Sequence, residues 1–305
     1  MRIGVDLGGT KIEALALADD GVELRRLRVP TPQDDYQAIV LALRDLVAAV
    51  ADGLGAAGTP VGVAIPGAVS PATGLIKNAN STCLIGKPFD VDLAAALGCP
   101  VRMANDANCF SLSEASDGAA RGADSVFGVI VGTGTGAGIV LGGRLHEGPN
   151  LIAGEWGHVP LPWPEDDERP GPPCYCGKRG CIETFLSGPG LSLGYEMATG
   201  GALNAHEIAA LAAQGDAAAE ACMARYERRM AKSLGMVISI LDPAVIVLGG
   251  GLSNISRLYD RVPALWGEFA FSDRLSTRLL PAEHGDSSGV RGAAWLWPLG
   301  CDGSS

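Results

Sequence analysis

A short motif that occurs twice constrains this chain most. Gly4-Val5 leads to Gly8 and Gly128-Val129 leads to Gly132 at a constant offset of 124 residues, and each time an apolar run closes in a glycine turn and then resumes. Residues 3–7 and 12–17 read as a strand, a glycine turn and a returning strand, and residues 127–131 and 139–141 repeat the pattern. Two copies of one opening, each followed by helical and strand segments, predict an internal duplication, with two convergent hairpins as the alternative.

The segments between the copies alternate in type. Ile39, Leu43, Leu46, Val47, Val50 and Leu54 lie at helical spacing and predict an amphipathic helix over 36–54. A buried strand follows at 61–65, stopped by Pro66-Gly67, then a helix at 89–97 ended by Gly98. A strand at 101–104 delivers Asn105-Asp106 to its C-terminal end, and a helix runs over 107–115. Further on, a long helix at 216–241 stops at Asp242-Pro243, and a strand at 245–248 feeds Gly249-Gly250-Gly251. Strands alternating with helices define an α/β class, whose ligands gather at the ends of strands.

Composition narrows the function. A chain of 305 residues with 47% hydrophobic and 19% charged residues can bury sizeable cores, which excludes disorder and small stapled scaffolds. Its net charge of -11 repels nucleic-acid backbones and anionic membranes, so neither is expected as a partner. No run reaches the about 18 apolar residues of a membrane span, and Asp6 interrupts what would be a signal peptide, so a cytoplasmic protein is expected.

Three glycine turns bear on ligands. Asp6, Gly8, Gly9, Thr10 and Lys11 bring together unhindered peptide N–H groups, a hydroxyl, a cation and a carboxylate able to hold a metal-bound water, which suits a nucleotide phosphate. The Thr-Lys order is the reverse of a Walker A loop, and a strand follows instead of a helix. Gly132, Thr133, Gly134, Thr135 and Gly136 form the second turn, and the strand after it excludes a dinucleotide fingerprint. For any one turn, a hairpin needing only positive φ is the alternative. The third turn, Gly249, Gly250 and Gly251, is a candidate for the adenosine end.

Of eight cysteines, three crowd together. His158 is followed after fifteen residues by Cys174-Tyr175-Cys176-Gly177-Lys178-Arg179-Gly180-Cys181, and His158, Cys174, Cys176 and Cys181 make a closed set of one imidazole and three thiolates that favours structural zinc. Within the loop from about Glu155 to Glu183, the stretch from Trp163-Pro164 to Pro173 is too polar and proline-rich to hold itself together, so metal removal is expected to unfold the loop. His146, His206 and His284 have no ligand-spaced partners and read as surface or core residues.

The phosphate turns, of the forms DxGGT and GTGxG, resemble those of the sugar kinase, actin and Hsp70 superfamily. Glu155-Trp156-Gly157-His158 followed by CxCGxxGCxE, from Cys174 to Glu183, resembles the signature of the ROK family of bacterial sugar kinases and sugar-responsive repressors. The resemblance implies two ribonuclease H-like α/β domains flanking an ATP and sugar cleft. A smaller domain is expected at 1–118, completed by about 287–305, and a larger one with the zinc loop at 119–286. It also implies ATP and Mg2+ as cosubstrate and cofactor and a homodimer; family repressors carry an added N-terminal DNA-binding domain, which the first strand at Ile3 and the net charge make unexpected in this sequence.

Carried over residue by residue, the resemblance makes Asp106 the general base, where the residues alone suggest a helix N-cap. It places Asn80, Asn105, Asp106, Glu155, His158 and Glu183 on the sugar, with one His158 ring nitrogen on zinc and the other on the sugar. Asp6 acts through Mg2+. Asn78-Ala79-Asn80-Ser81-Thr82, Gly86-Lys87-Pro88 and residues 173–178 look most like the fructokinase branch, which implies conversion of D-fructose to fructose 6-phosphate. The alternatives are an N-acetylglucosamine, glucose or mannose kinase of the same family, whose N-acetylglucosamine branch shares residues 105–110 and 284–286, or a non-catalytic sugar-responsive regulator. A chaperone or filament ATPase of the superfamily predicts ATP turnover without sugar, and the zinc loop disfavours it.

Overall fold

In the computed structural model, residues 1–297 are described apart from 57, 78, 80, 286 and 287, so Asn80 lies outside the described residues. The chain forms two compact units, one of residues 1–121, 147–152 and the described residues from 288 on, the other of residues 122–146 and 153–285.

The first unit opens on β1 (Arg2–Leu7), β2 (Lys11–Leu17) and β3 (Glu23–Pro30), an antiparallel meander. No sequence pattern announces β3, an edge strand whose Arg25, Arg26 and Arg28 break the apolar alternation and discourage further pairing. Helix α1 (Tyr36–Ala51) is capped by Asp35, which accepts from Ala38 N at 3.0 Å, and it buries Ile39, Leu43, Leu46, Val47 and Val50. It stops three residues short of Leu54 because Gly53 turns left-handed at φ +70°. Strand β4 (Val61–Ile65), a two-residue hairpin of β5 (Ala68–Val69) and β6 (Ile76–Lys77), α2 (Phe89–Leu97), β7 (Val101–Asn105) and α3 (Asp106–Ser116) complete the run. Strands β4 and β7 join β1 in parallel, giving the sheet order β3-β2-β1-β4-β7.

The second unit repeats this plan. Strands β8 (Ser125–Val131), β9 (Thr135–Leu141) and β10 (Arg144–Leu145) form the meander, and helices α4 (Glu183–Leu186), α5 (Gly188–Thr199), α6 (Ala205–Ala213) and α7 (Ala217–Leu241) follow. Next come β11 (Val245–Gly249), α8 (Leu258–Leu265) and β12 (Arg278–Pro281), and the sheet order is β10-β9-β8-β11-β12 with β8, β11 and β12 parallel. The duplication is therefore one of topology. Its offset of 124 holds through β1 and β8, but Leu7 pairs with Ile12 where Val131 pairs with Thr135, so the first turn is one residue longer and the return strands match at 123. Helix α7 is capped by Asp216 and ends at Asp242 in the left-handed region, and its apolar face packs Tyr226, Met230 and Leu234 into a core with Trp266 and Leu248. Among the described residues no helix is long and apolar enough to cross a membrane.

The last helix, α9 (Ser288–Trp295), packs on β1, β4 and α3 of the first unit. It fits there because glycines remove side chains at the contacts. A Cβ on Gly62 would lie 1.8 Å from the Ala293 carbonyl oxygen, and one on Gly292 would lie 1.6 Å from that of Cys109. Backbone opposite backbone has no rotamer to yield. We expect Gly62→Ala to cost about 2 kcal/mol, the middle of the range for overpacked sites, and to lower Tm by several degrees in thermal denaturation.

Candidate functional site

In the first unit, β1 carries Asp6 to the edge of its glycine turn. The turn's carbonyls are held from behind: Thr31 Oγ1 donates to Gly8 O at 2.7 Å and Gln33 Nε2 to Gly9 O at 3.1 Å, while Gly8 N bonds Lys11 O at 3.0 Å. The N–H groups of Gly9 and Thr10 meet no acceptor among the described residues, an arrangement that could receive an anion. Burial first, then the Asp106 and Glu13 carboxylates, push Asp6 up to about 6 against the pull of Lys11. Glu13, paired opposite Asp6 across β1 and β2, is itself buried against Arg26 and Arg28. Gly289, in the first turn of α9, has its Cα beside Asp6, where an added Cβ would lie 2.9 Å from Oδ2.

Strand β7 and helix α3 meet at the candidate base. Asn105, not Asp106, caps α3, its Oδ1 accepting from Asn108 N at 2.7 Å. Asp106 is the first helical residue, and its carboxylate accepts the Ala107 N–H at 2.8 Å. The carboxylate is exposed, yet the protein around it withdraws enough water that burial raises its pKa against the lowering by nearby backbone N–H groups. A carboxylate with its pKa raised and free lone pairs suits proton abstraction better than an ordinary surface aspartate.

In the second unit the Gly132 turn has the same economy. Gly132 N bonds Gly134 O at 2.9 Å, Gly188 N donates to Gly132 O at 2.7 Å, and the N–H groups of Thr133 and Gly134 meet no acceptor among the described residues. Gly136 lies in β9, beyond the turn. Glu183, opening α4, accepts the Thr135 N–H at 2.9 Å through Oε2. The Gly249 turn lies alongside because β11 pairs with β8, and Gly250 is required twice over: its φ is +80° and a Cβ would meet Val131 O at 2.4 Å. Next to both turns is a pocket of about 730 Å³ lined by Gly132, Thr133, Gly188, Asn204, His206 and Gly251 among others. His206 thus lines a pocket, a role that no spacing in the sequence announces.

Glu155 and His158 lie in a 3-10 turn, Glu155–His158, held against β9. His158 Nδ1 is 3.5 Å from Cys174 Sγ, Cys176 Sγ is 3.6 Å from Cys181 Sγ, and the four donor atoms all lie within 4.8 Å of one another. A zinc tetrahedron with Zn–S bonds of about 2.3 Å has sulfur edges of about 3.8 Å, so the donor set fits that ion. Burial, then the Cys176 and Cys174 thiols, push Cys181 up to about 12, a thiol that a central cation would ionise. The other ring nitrogen of His158, expected on the sugar, instead faces the exposed Tyr175 hydroxyl at 2.8 Å.

The loop between the ligands is not the loose segment that its composition suggests. Glu168 is buried and paired with Arg229 and Lys232 of α7, Lys232 Nζ also donates to Trp163 O at 3.0 Å, and the Trp163 ring stacks on Phe269 at 5.8 Å. Burial alone would raise the Glu168 carboxyl, but Arg229 and Lys232 hold it below the usual value. Residues 163–168 thus have contacts to α7 and Phe269 that do not involve the four Cys/His donors. We expect Cys176→Ser to abolish zinc retention while residues 163–169 keep their amide-exchange protection. Glu168→Ala, with zinc retained, should destabilise by about 3 kcal/mol at pH 7. Because the folded pKa is depressed, that contribution is complete above the ordinary value of 4.5 and fades as pH falls through the folded pKa, so wild type and variant should converge in acid titrations of Tm.

Two sheets of one order, each with a bare glycine turn beside its first strand, define the actin, hexokinase and Hsp70 class of ATP-using folds. The profile of the ROK family matches residues 2–299. N-acetyl-D-glucosamine kinase of Shigella flexneri serotype 5b (strain 8401) is 43% identical, over 97% of this chain and 99% of the relative. The ROK hexokinase from Thermus thermophilus superposes with a TM-score of 0.86 at 31% identity, covering 97% of each chain. A ROK family glucokinase from Streptomyces griseus, solved with glucose and AMPPNP, superposes with a TM-score of 0.73 at 28% identity, over 97% of this chain and 98% of that one. The chain belongs to the ROK family, as an ATP-dependent sugar kinase.

Proposed function

We propose that this kinase transfers the γ-phosphate of ATP to N-acetylglucosamine. The observation that carries the reading is the 43% identity, over nearly the full length of both chains, to an N-acetyl-D-glucosamine kinase. The fructose preference suggested by the loop at 78–82 and by residues 173–178 finds no support among these relatives, and it rests on side-chain similarity in loops where one or two residues can exchange sugar preference.

Asp106 takes the proton of the attacking sugar hydroxyl as the oxygen approaches phosphorus in line. Asn105 keeps its amide NH2 for the sugar because only its Oδ1 is spent on capping α3. Glu155, His158 and Glu183 are the polar groups that the second unit offers to sugar hydroxyls, and Tyr175 must leave His158 Nε2 before that nitrogen can bind one. The open N–H groups of both turns receive phosphate oxygens, and the 730 Å³ pocket with Gly251 and His206 receives the adenosine. Mg2+ bound through Asp6 would neutralise the charge of the transferring group. Zinc on His158, Cys174, Cys176 and Cys181, with no position left open, is structural. A homodimer is the proposed assembly.

ADP release from ATP and Mg2+ with N-acetylglucosamine, fructose, glucose, mannose and N-acetylmannosamine tests the substrate. N-acetylglucosamine should give the highest kcat/KM; fructose dominance would overturn the reading, and ATP turnover without sugar transfer would favour a regulator. Asp106→Asn should lower kcat at least ~100-fold with nucleotide binding kept. With Asp6 pushed up to about 6 by burial and the neighbouring carboxylates, its charged form should decline as pH falls from 7 to 5, and the Mg2+ concentration needed for half-maximal rate should rise about tenfold over that interval. Gly289→Ala, which crowds the Asp6 carboxylate, should raise the same requirement at pH 8 more than it raises the sugar KM.

A further inference from the structure

The second glycine turn is gripped by the two chain segments that carry the metal ligands. Gly157, the residue before His158, has its Cα so near the Thr135 carbonyl that a Cβ would lie 2.0 Å from the oxygen. Glu183, two residues after Cys181, accepts the N–H of the same Thr135 at 2.9 Å. One peptide unit on either side of Thr135 thus meets a different wall of the knuckle. The walls are tied to each other, Leu161 N bonding Gly180 O and Ile182 N bonding Val159 O, both at 2.9 Å, and Thr184 Oγ1 secures the Glu183 segment by donating to Cys181 O at 2.7 Å. The Oε1 atom of Glu183 meets no partner among the described residues.

We propose that Glu183 is a positioning residue for the nucleotide turn: its Oε2 holds the Thr135 N–H, and with it the phosphate-facing form of the turn, independently of any sugar bound at Oε1. The proposal rests on the kinase reading for its consequence and extends the influence of the Cys/His knuckle from the sugar to the nucleotide. A charged acceptor on a backbone N–H is among the stronger hydrogen bonds, and it fixes a turn whose remaining N–H groups must stay unpaired to receive phosphate. It also accounts for Gly134, since a Cβ there would lie 2.9 Å from Oε2 and displace the carboxylate.

The test is equilibrium binding of a nonhydrolysable ATP analogue with Mg2+ to the full chain in the absence of sugar. Glu183→Ala removes the acceptor and Glu183→Asp keeps the charge but falls one methylene short; both should weaken binding about tenfold, the loss of one charge-assisted hydrogen bond. Glu183→Gln retains a carbonyl acceptor and should stay within about threefold of wild type. Wild-type nucleotide affinity in Ala and Asp variants, with only the sugar KM raised, would make Glu183 a sugar ligand alone and overturn the proposal. Amide exchange at Thr135 reads the bond without nucleotide. Slow exchange in wild type and Gln and fast exchange in Asp support it even if the chain proves unable to bind ATP, whereas equal exchange in all three contradicts it; should Ala fail to fold, the Gln and Asp pair still decides.

Discussion

Glycine turns whose backbone N–H groups meet no acceptor among the described residues are the constraint around which both units are built. A turn cannot hold such groups by its own hydrogen bonds without spending them, so the neighbouring structure supplies the rigidity. In the first unit Thr31 and Gln33 take the turn carbonyls and α9 closes against Asp6 at Gly289. In the second, Gly188 takes a carbonyl, Glu183 takes the Thr135 N–H and Gly157 abuts the Thr135 oxygen. Different residues meet one requirement in two copies of a sheet, as expected when topology outlasts sequence in a duplicated fold.

Glycine appears where that rigidity needs contact at backbone distance. Gly62 and Gly292 let α9 lie on the sheet and on α3, and Gly250 lets the third turn lie against β8. Each such contact transmits position without a rotamer that could relax. The Cys/His cluster belongs to the same scheme: the segments that carry it, at Gly157 and Glu183, both touch Thr135 beside the second turn. Its flanking loop has a separate anchor in the Glu168, Arg229 and Lys232 cluster.

Much of this was legible in the sequence because periodicity and glycine punctuation act locally. Residues 61–65 and 89–97 form the elements their patterns predict, the strand expected at 101–104 runs one residue further to Asn105, and the repeat announced two like sheets. Charged β3 was not legible, since an edge strand half open to solvent loses its alternation, and α6, rich in alanine, shows little contrast between faces. The ligand set of the knuckle follows from residue types and spacing, and the structure brings the four donors together. The Tyr175 contact to His158 and the seat of His206 in a pocket depend on side-chain directions that no spacing encodes. Capping of α3 by Asn105, which releases Asp106, also needed the dihedral angles at the strand end.

The bare N–H groups of the two turns are the proposed ligands of the nucleotide. Titrating isotopically labelled protein with Mg2+ and a nonhydrolysable ATP analogue, and following backbone amides by NMR, measures this directly. The largest shifts should fall on Gly9 and Thr10 in one unit and on Thr133 and Gly134 in the other, at a common midpoint. Saturable nucleotide binding that leaves those four amides unmoved would contradict it.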